Sequence, residues 1–122
     1  MAFRSPDERD RWVFREGAKL AIALDFERIY RNVWPSQMDL LAAANGPDGE
    51  LMAGVQRRYA DAAAVTPAVY GTYGIESWLG FLEHTGLIQR EAGRVSTTDK
   101  GRLFIQYLVA QRYDLHGLRP GL

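Results

Sequence analysis

The sequence predicts a mainly α domain of the α+β class, with a long N-terminal helix, three core helices, a short β-hairpin and a C-terminal helix. Three observations lead there. Residues 73–108 read as a helix, a short two-stranded ribbon and a second helix. Ser5-Pro6-Asp7-Glu8 is a helix start, with Ser at the N-cap, Pro at the first helical position and Glu placed to close a capping box. A chain of 122 residues, 47% apolar and 25% charged, has the makeup of one globular domain that buries its own core, spanning 1–122 without linkers.

The first helix is expected over residues 5–33, where Trp12, Gly17 or Leu20, Leu24, Ile29 or Tyr30, and Val33 recur at helical spacing and residues 20–24 are apolar nearly all round. A helix apolar on more than one side has more than one partner, so two destinations stay open for it: the core of its own chain and an interface with a second copy. Trp34-Pro35 ends it, because the residue before proline is pushed out of the α region. Ser36, with Asp39 three residues on, is read as the cap of a helix over 37–44, which Asn45-Gly46 and Pro47-Asp48-Gly49 terminate. Leu51, Val55, Tyr59 and Ala62 form the apolar stripe of a helix over 50–64, with Gln56, Arg57, Arg58 and Asp61 on its other side.

Thr66-Pro67 starts a single turn through Tyr70, and Thr72 or Tyr73 opens the third core helix, with Ile75, Trp78, Leu79 and Leu82 inward and Phe81 at its edge. Thr85-Gly86 stops it. Leu87-Ile88-Gln89-Arg90 and Arg94-Val95-Ser96-Thr97 are strands joined by Glu91-Ala92-Gly93, with glycine supplying the positive φ of the loop. Thr98 caps the last helix, whose apolar face is Leu103, Phe104, Tyr107 and Leu108, and residues 114–122 read as a flexible tail.

The order helix, helix, helix, ribbon, helix resembles winged helix-turn-helix domains, in particular the multiple-antibiotic-resistance regulator (MarR) family and related small bacterial regulators. The residues that carry the likeness are Phe81-Leu82-Glu83-His84-Thr85-Gly86-Leu87-Ile88, Thr98-Asp99-Lys100-Gly101-Arg102 and the stretch opening at Pro35, within residues 35–108. The resemblance implies a homodimeric transcription regulator that binds double-stranded DNA, with the third helix in the major groove and the hairpin as a wing. The implied DNA contacts are Arg57 and Arg58 on the second core helix, Thr72, Tyr73 and Ser77 on the third, Arg90 and Arg94 beside the hairpin tip, and Lys100 and Arg102 beyond it. Trp12, Leu20, Leu24 and Tyr30 are the implied dimer contacts.

Charge divides this reading. Fifteen basic and fifteen acidic residues cancel over the whole chain, but residues 90–122 carry six basic and three acidic groups while residues 71–89 carry two acidic and no basic ones. A helix without Arg or Lys has nothing to pair with guanine or phosphate, and Glu76 and Glu83 repel a polyanion. The alternative is therefore a winged-helix module for contact with a protein partner, using the aromatic residues Tyr70, Tyr73, Trp78 and Phe81.

Other classes find little support. The chain has no cysteine, which removes disulfides, thiol chemistry and cysteine-ligated metals. His84, near Glu83 at a helix end, reads as a dipole partner, and Gly74-Ile75-Glu76-Ser77-Trp78 lacks the spacing of a nucleophile elbow. No enzyme activity, metal or cofactor is expected. Residues 18–26 are too short for a membrane span and the N-terminal stretch is charged throughout, so a cytoplasmic location is expected.

Overall fold

The computed structural model describes residues 5–115, six helices and a small antiparallel sheet in the order α1 Pro6–Asn32, α2 Pro35–Ala43, β1 Glu50–Leu51, α3 Met52–Val65, α4 Pro67–Tyr73, α5 Ile75–His84, β2 Ile88–Glu91, β3 Arg94–Thr97 and α6 Asp99–Ala110. Ser5 caps α1 as expected, its Oγ accepting the Glu8 N–H at 3.2 Å. Only the last turns of this helix enter the core, through Phe26, Ile29 and Tyr30. None of the helices is long and apolar enough to cross a membrane among the described residues.

Pro35 occupies the first position of α2, so Ser36 lies inside the helix and does not cap it. Gln37 takes the capping role: its Oε1 accepts the Trp34 N–H at 2.8 Å. A two-residue strand that no alternation announced, β1, joins the hairpin to give the order β1-β3-β2, with Glu50 opposite Val95 and Leu51 opposite Arg94. Leu51, expected on the inner stripe of the following helix, is exposed at this sheet edge.

The single turn expected after Pro67 is a full helix, α4, which passes through Gly71 and stops at Gly74. Gly74 has φ 81°, a conformation that glycine adopts without a Cβ penalty, and it separates α4 from α5. Thr72 and Tyr73 accordingly end α4 and do not open the next helix.

β2 and β3 pair from Ile88 opposite Thr97 to Glu91 opposite Arg94, so the loop is the two residues Ala92 and Gly93, one fewer than expected. Both have positive φ, 52° and 74°, the left-handed pair that matches the twist of a two-residue hairpin. Thr98 caps α6 by accepting the Gly101 N–H at 3.0 Å and donates to the Gly86 carbonyl at 2.5 Å. A Cβ on Gly101 would run into the Leu87 carbonyl and the Thr97 methyl, so glycine lets α6 press against the start of β2. Leu103, expected inward, is exposed.

The core joins Trp78, Leu79 and Leu82 of α5 to Leu40 and Leu41 of α2, Val55, Tyr70, Val95, and Phe104 and Leu108 of α6. Phe26 packs edge-on against Phe104 with ring centroids 5.3 Å apart, which ties α1 to α6. Tyr30 stacks on Tyr113 and donates to the Asp114 carbonyl at 2.9 Å. Tyr30 is thus buried in its own chain, which corrects its assignment to a dimer interface. The expected flexible tail lies outside the described residues except for Asp114 and Leu115, and Asp114 is held by that bond.

Candidate interaction surface

The surface begins with what fixes α5 from below. Ser36 Oγ accepts the indole N–H of Trp78 at 3.0 Å and shares a 2.6 Å hydrogen bond with the Tyr70 hydroxyl. Gln37 donates to the Trp78 carbonyl at 2.9 Å, and Tyr59 donates to the Tyr70 carbonyl at 2.6 Å. Burial pushes the Tyr70 hydroxyl up from its ordinary pKa, so it stays a neutral hydrogen-bonding group. Polar groups placed in a low-dielectric core need partners, and among the described residues none is left without one. Trp78 and Tyr70, two of the aromatic residues considered for contact with a partner, are therefore core groups that orient the helix.

The other side of α5 faces outward. Tyr73, Glu76, Ser77, Gly80, Phe81, His84 and Thr85 line a shallow groove of about 570 Å³. Tyr73 lies against Trp34, ring centroids 4.6 Å apart, and both Tyr73 and Phe81 are half-buried. Arg90, on β2, reaches across to α5: it meets Glu76 at 2.9 Å and Glu83 at 2.6 Å. The Arg90 guanidinium beside Glu76 holds that carboxyl below its usual range, while the bond to Glu76, followed by that to Glu83, raises the Arg90 pKa. One cation between two carboxylates leaves the cluster with net negative charge.

The remaining cations do not gather with Arg90. Arg94 donates to the Asp48 carbonyl at 3.1 Å and Arg58 pairs with Glu50 at 3.6 Å, so both converge on the segment leading into β1. Arg57 is exposed on α3 beside Arg58. Lys100 turns toward α1, where it meets Asp25 at 2.8 Å and is the leading cause of that carboxyl's lowered pKa. Arg102 pairs with Asp99 and donates to the Thr97 carbonyl. Of the nine residues proposed for DNA, the structure places Tyr73 and Ser77 together on the α5 groove with Arg90 at its edge, and Arg58 with Arg94 beside β1. Thr72 is exposed on α4.

Sequence reading missed the roles of Ser36 and Gln37 and the capture of Arg90. Glu83 and Arg90 lie on different elements, α5 and β2, with a turn between them, so no period of either element couples them. Among the described residues no group of three His, Asp or Glu side chains is placed to hold a metal ion. The chain matches no family model, no curated protein and no solved structure.

Proposed function

We propose that the chain is a winged-helix module that works by contact with a protein partner through the outer face of α5, the position a recognition helix would take. The observation that carries this reading is the Arg90 clamp: the hairpin arginine nearest α5 is taken up by Glu76 and Glu83. The groove beside it combines net negative charge with the half-exposed rings of Tyr73 and Phe81. A basic segment carrying an apolar anchor matches that chemistry, since charge complementarity steers the encounter and a ring-lined groove takes the anchor.

The test places a photo-crosslinking amino acid at Ser77 in the full chain expressed in its own host, with Gln56 on α3 as the control position. Protein adducts formed from position 77 and absent from position 56 support the reading. Equal labelling, or none, overturns it.

A second reading, DNA binding in the manner of winged-helix regulators, is favoured by the convergence of Arg58 and Arg94 beside β1 with Arg57 exposed next to them. Here the backbone contacts would come from α3 and the hairpin tip and not from α5. It predicts micromolar affinity for duplex DNA in low salt that falls steeply with added salt and is abolished in an Arg57→Glu, Arg58→Glu double variant. Fluorescence anisotropy with a mixed-sequence duplex checks this, and no binding at micromolar protein removes it.

A further inference from the structure

The α5 groove already displays how it holds one guanidinium. Arg90 Nη1 and Nη2 donate to the two carboxylate oxygens of Glu76 at 3.4 and 2.9 Å, while Nε donates to Glu83 Oε1 at 2.8 Å. Both edges of a planar cation are met by carboxylates, a forked match that a lysine ammonium cannot reproduce. The hold is nevertheless weak, because the Glu76 side chain is 76% exposed and an exposed ion pair contributes little. Glu76 and Glu83 are thus spaced for a guanidinium and able to exchange the one they have.

Beside this clamp α5 carries a notch. Gly80 stands in the interior of the helix, where glycine is weaker than alanine, and its φ is not positive. Nothing lies within 4 Å of where its Cβ would stand, so no close approach among the described residues requires glycine there. At about 100° per residue, Glu76, Gly80 and Glu83 fall within about 60° of one another, with the two acids about 10 Å apart along the axis. Gly80 therefore opens the space between the carboxylates that Arg90 spans, and the rings of Tyr73 and Phe81 line the same groove. An arginine side chain suits such a slot: its stem lies over glycine and rings while its charge meets the acids.

Resting on the protein contact proposed above, we infer that the α5 groove receives an arginine of the partner, laid across Gly80, whose guanidinium takes Glu76 and Glu83 from Arg90. Arg90 is then a built-in competitor, an autoinhibitory contact that the partner's arginine must displace. Charge favours the exchange: one arginine against two glutamates leaves the free cluster negative, and a second arginine brings it to neutrality. Gly80 is the specificity-determining position, because any side chain there would fill the slot.

Fluorescence anisotropy on the full chain tests it, with three labelled hexapeptides that differ only in a central arginine, lysine or citrulline. The arginine probe should bind about tenfold more tightly than the lysine probe, and citrulline, of the same shape without the charge, should not bind. Gly80→Ala and Gly80→Leu should unfold in urea at or above the wild-type midpoint yet weaken the arginine probe, leucine more than alanine. Arg90→Ala should tighten it about threefold, since the competitor is gone. An arginine probe that fails to bind at about 1 mM, a lysine probe that matches it, wild-type affinity in Gly80→Leu, or no gain in Arg90→Ala overturns the inference. The photo-crosslink at Ser77 separates the two levels. Protein adducts that persist in Gly80→Leu overturn the arginine slot and leave the protein contact standing, whereas a wild-type chain that gives none removes both.

Discussion

The two faces of α5 use polar groups in opposite ways. On the inner face Ser36 and Gln37 serve the buried Trp78 and Tyr70 through hydrogen bonds fixed by the core packing around them. On the outer face Arg90, Glu76 and Glu83 make contacts of similar length, but the Glu76 side chain is 76% exposed and water competes for it. A hydrogen bond in the core contributes to stability because the unmade alternative is so unfavourable, whereas an exposed ion pair exchanges one good solvation for another. The inner face therefore determines whether the helix is held, and the outer face what field it presents.

The largest effect should come from the inner face. Gln37→Leu keeps the volume but removes both the acceptor for the Trp34 N–H and the donor to the Trp78 carbonyl, and should cost about 3 kcal/mol in urea unfolding. Ser36→Ala removes the acceptor of the Trp78 indole N–H and the hydrogen bond between Ser36 and the Tyr70 hydroxyl, with an expected cost of about 2 kcal/mol by the same measurement. If either variant unfolds at the wild-type midpoint, the contrast between the two faces is wrong.

The clasp between α1 and α6 is intermediate. Tyr107 and Tyr113 both donate to Glu27 Oε1 at 2.6 Å. The bond from Tyr107, then that from Tyr113, holds the Glu27 carboxyl below its ordinary value of 4.5, and the bond to Glu27 pushes Tyr107 up to about 12. Glu27 is more acidic folded than unfolded, so its contribution is full above about pH 4.5 and is lost as pH falls through the lowered value. Tyr107 is less acidic folded, so its contribution is full below about pH 10 and is lost as pH rises toward 12. The unfolding free energy from urea titrations across pH should plateau between those limits and fall on both sides. Tyr107→Phe should shrink the alkaline decline and Glu27→Gln should lower the plateau by about 1 kcal/mol.

The smallest changes belong to the hairpin and the outer face. Ala92 has φ 52°, where an L side chain is strained, and Ala92→Gly should stabilise the protein by about 0.5 kcal/mol in the same urea titration. Arg90→Ala should shift stability by less than about 0.5 kcal/mol, yet it releases two carboxylates toward solvent. Under the proposed protein contact it should tighten the capture of a basic partner at Ser77. A loss of several kcal/mol in this variant would mean that the clamp is structural and erase the difference between the faces.

Much of the fold was legible because its signals are local. Ser5 and Thr98 cap helices through bonds that close within three residues, Pro35 and Gly86 mark ends, and Trp78, Leu79 and Leu82 follow helical spacing to one face. Where the reading failed, the deciding partner was far along the chain. Ser36 looks like a cap by spacing, but Tyr70 and Trp78, 34 and 42 residues on, claim its hydroxyl. β1 is two residues long, too short to show alternation, and exists because β3 offers it an edge. Tyr30 belongs to an α1 that is apolar on more than one side, and the packing of its face, with Tyr113 stacked on it, decides that it is buried.

The candidate surface divides along the same line. The sequence by itself determined that α5 carries no Arg or Lys, that residues 90–122 carry the excess positive charge, and that α1 is apolar on more than one side, since composition and period need no partner. Only the tertiary structure decided where those charges act. It brings Arg90 to Glu76 and Glu83, sends Lys100 to Asp25 and leaves Phe14 and Leu24 bare, because a Coulomb pair or a buried face depends on distances between elements, which chain position does not encode.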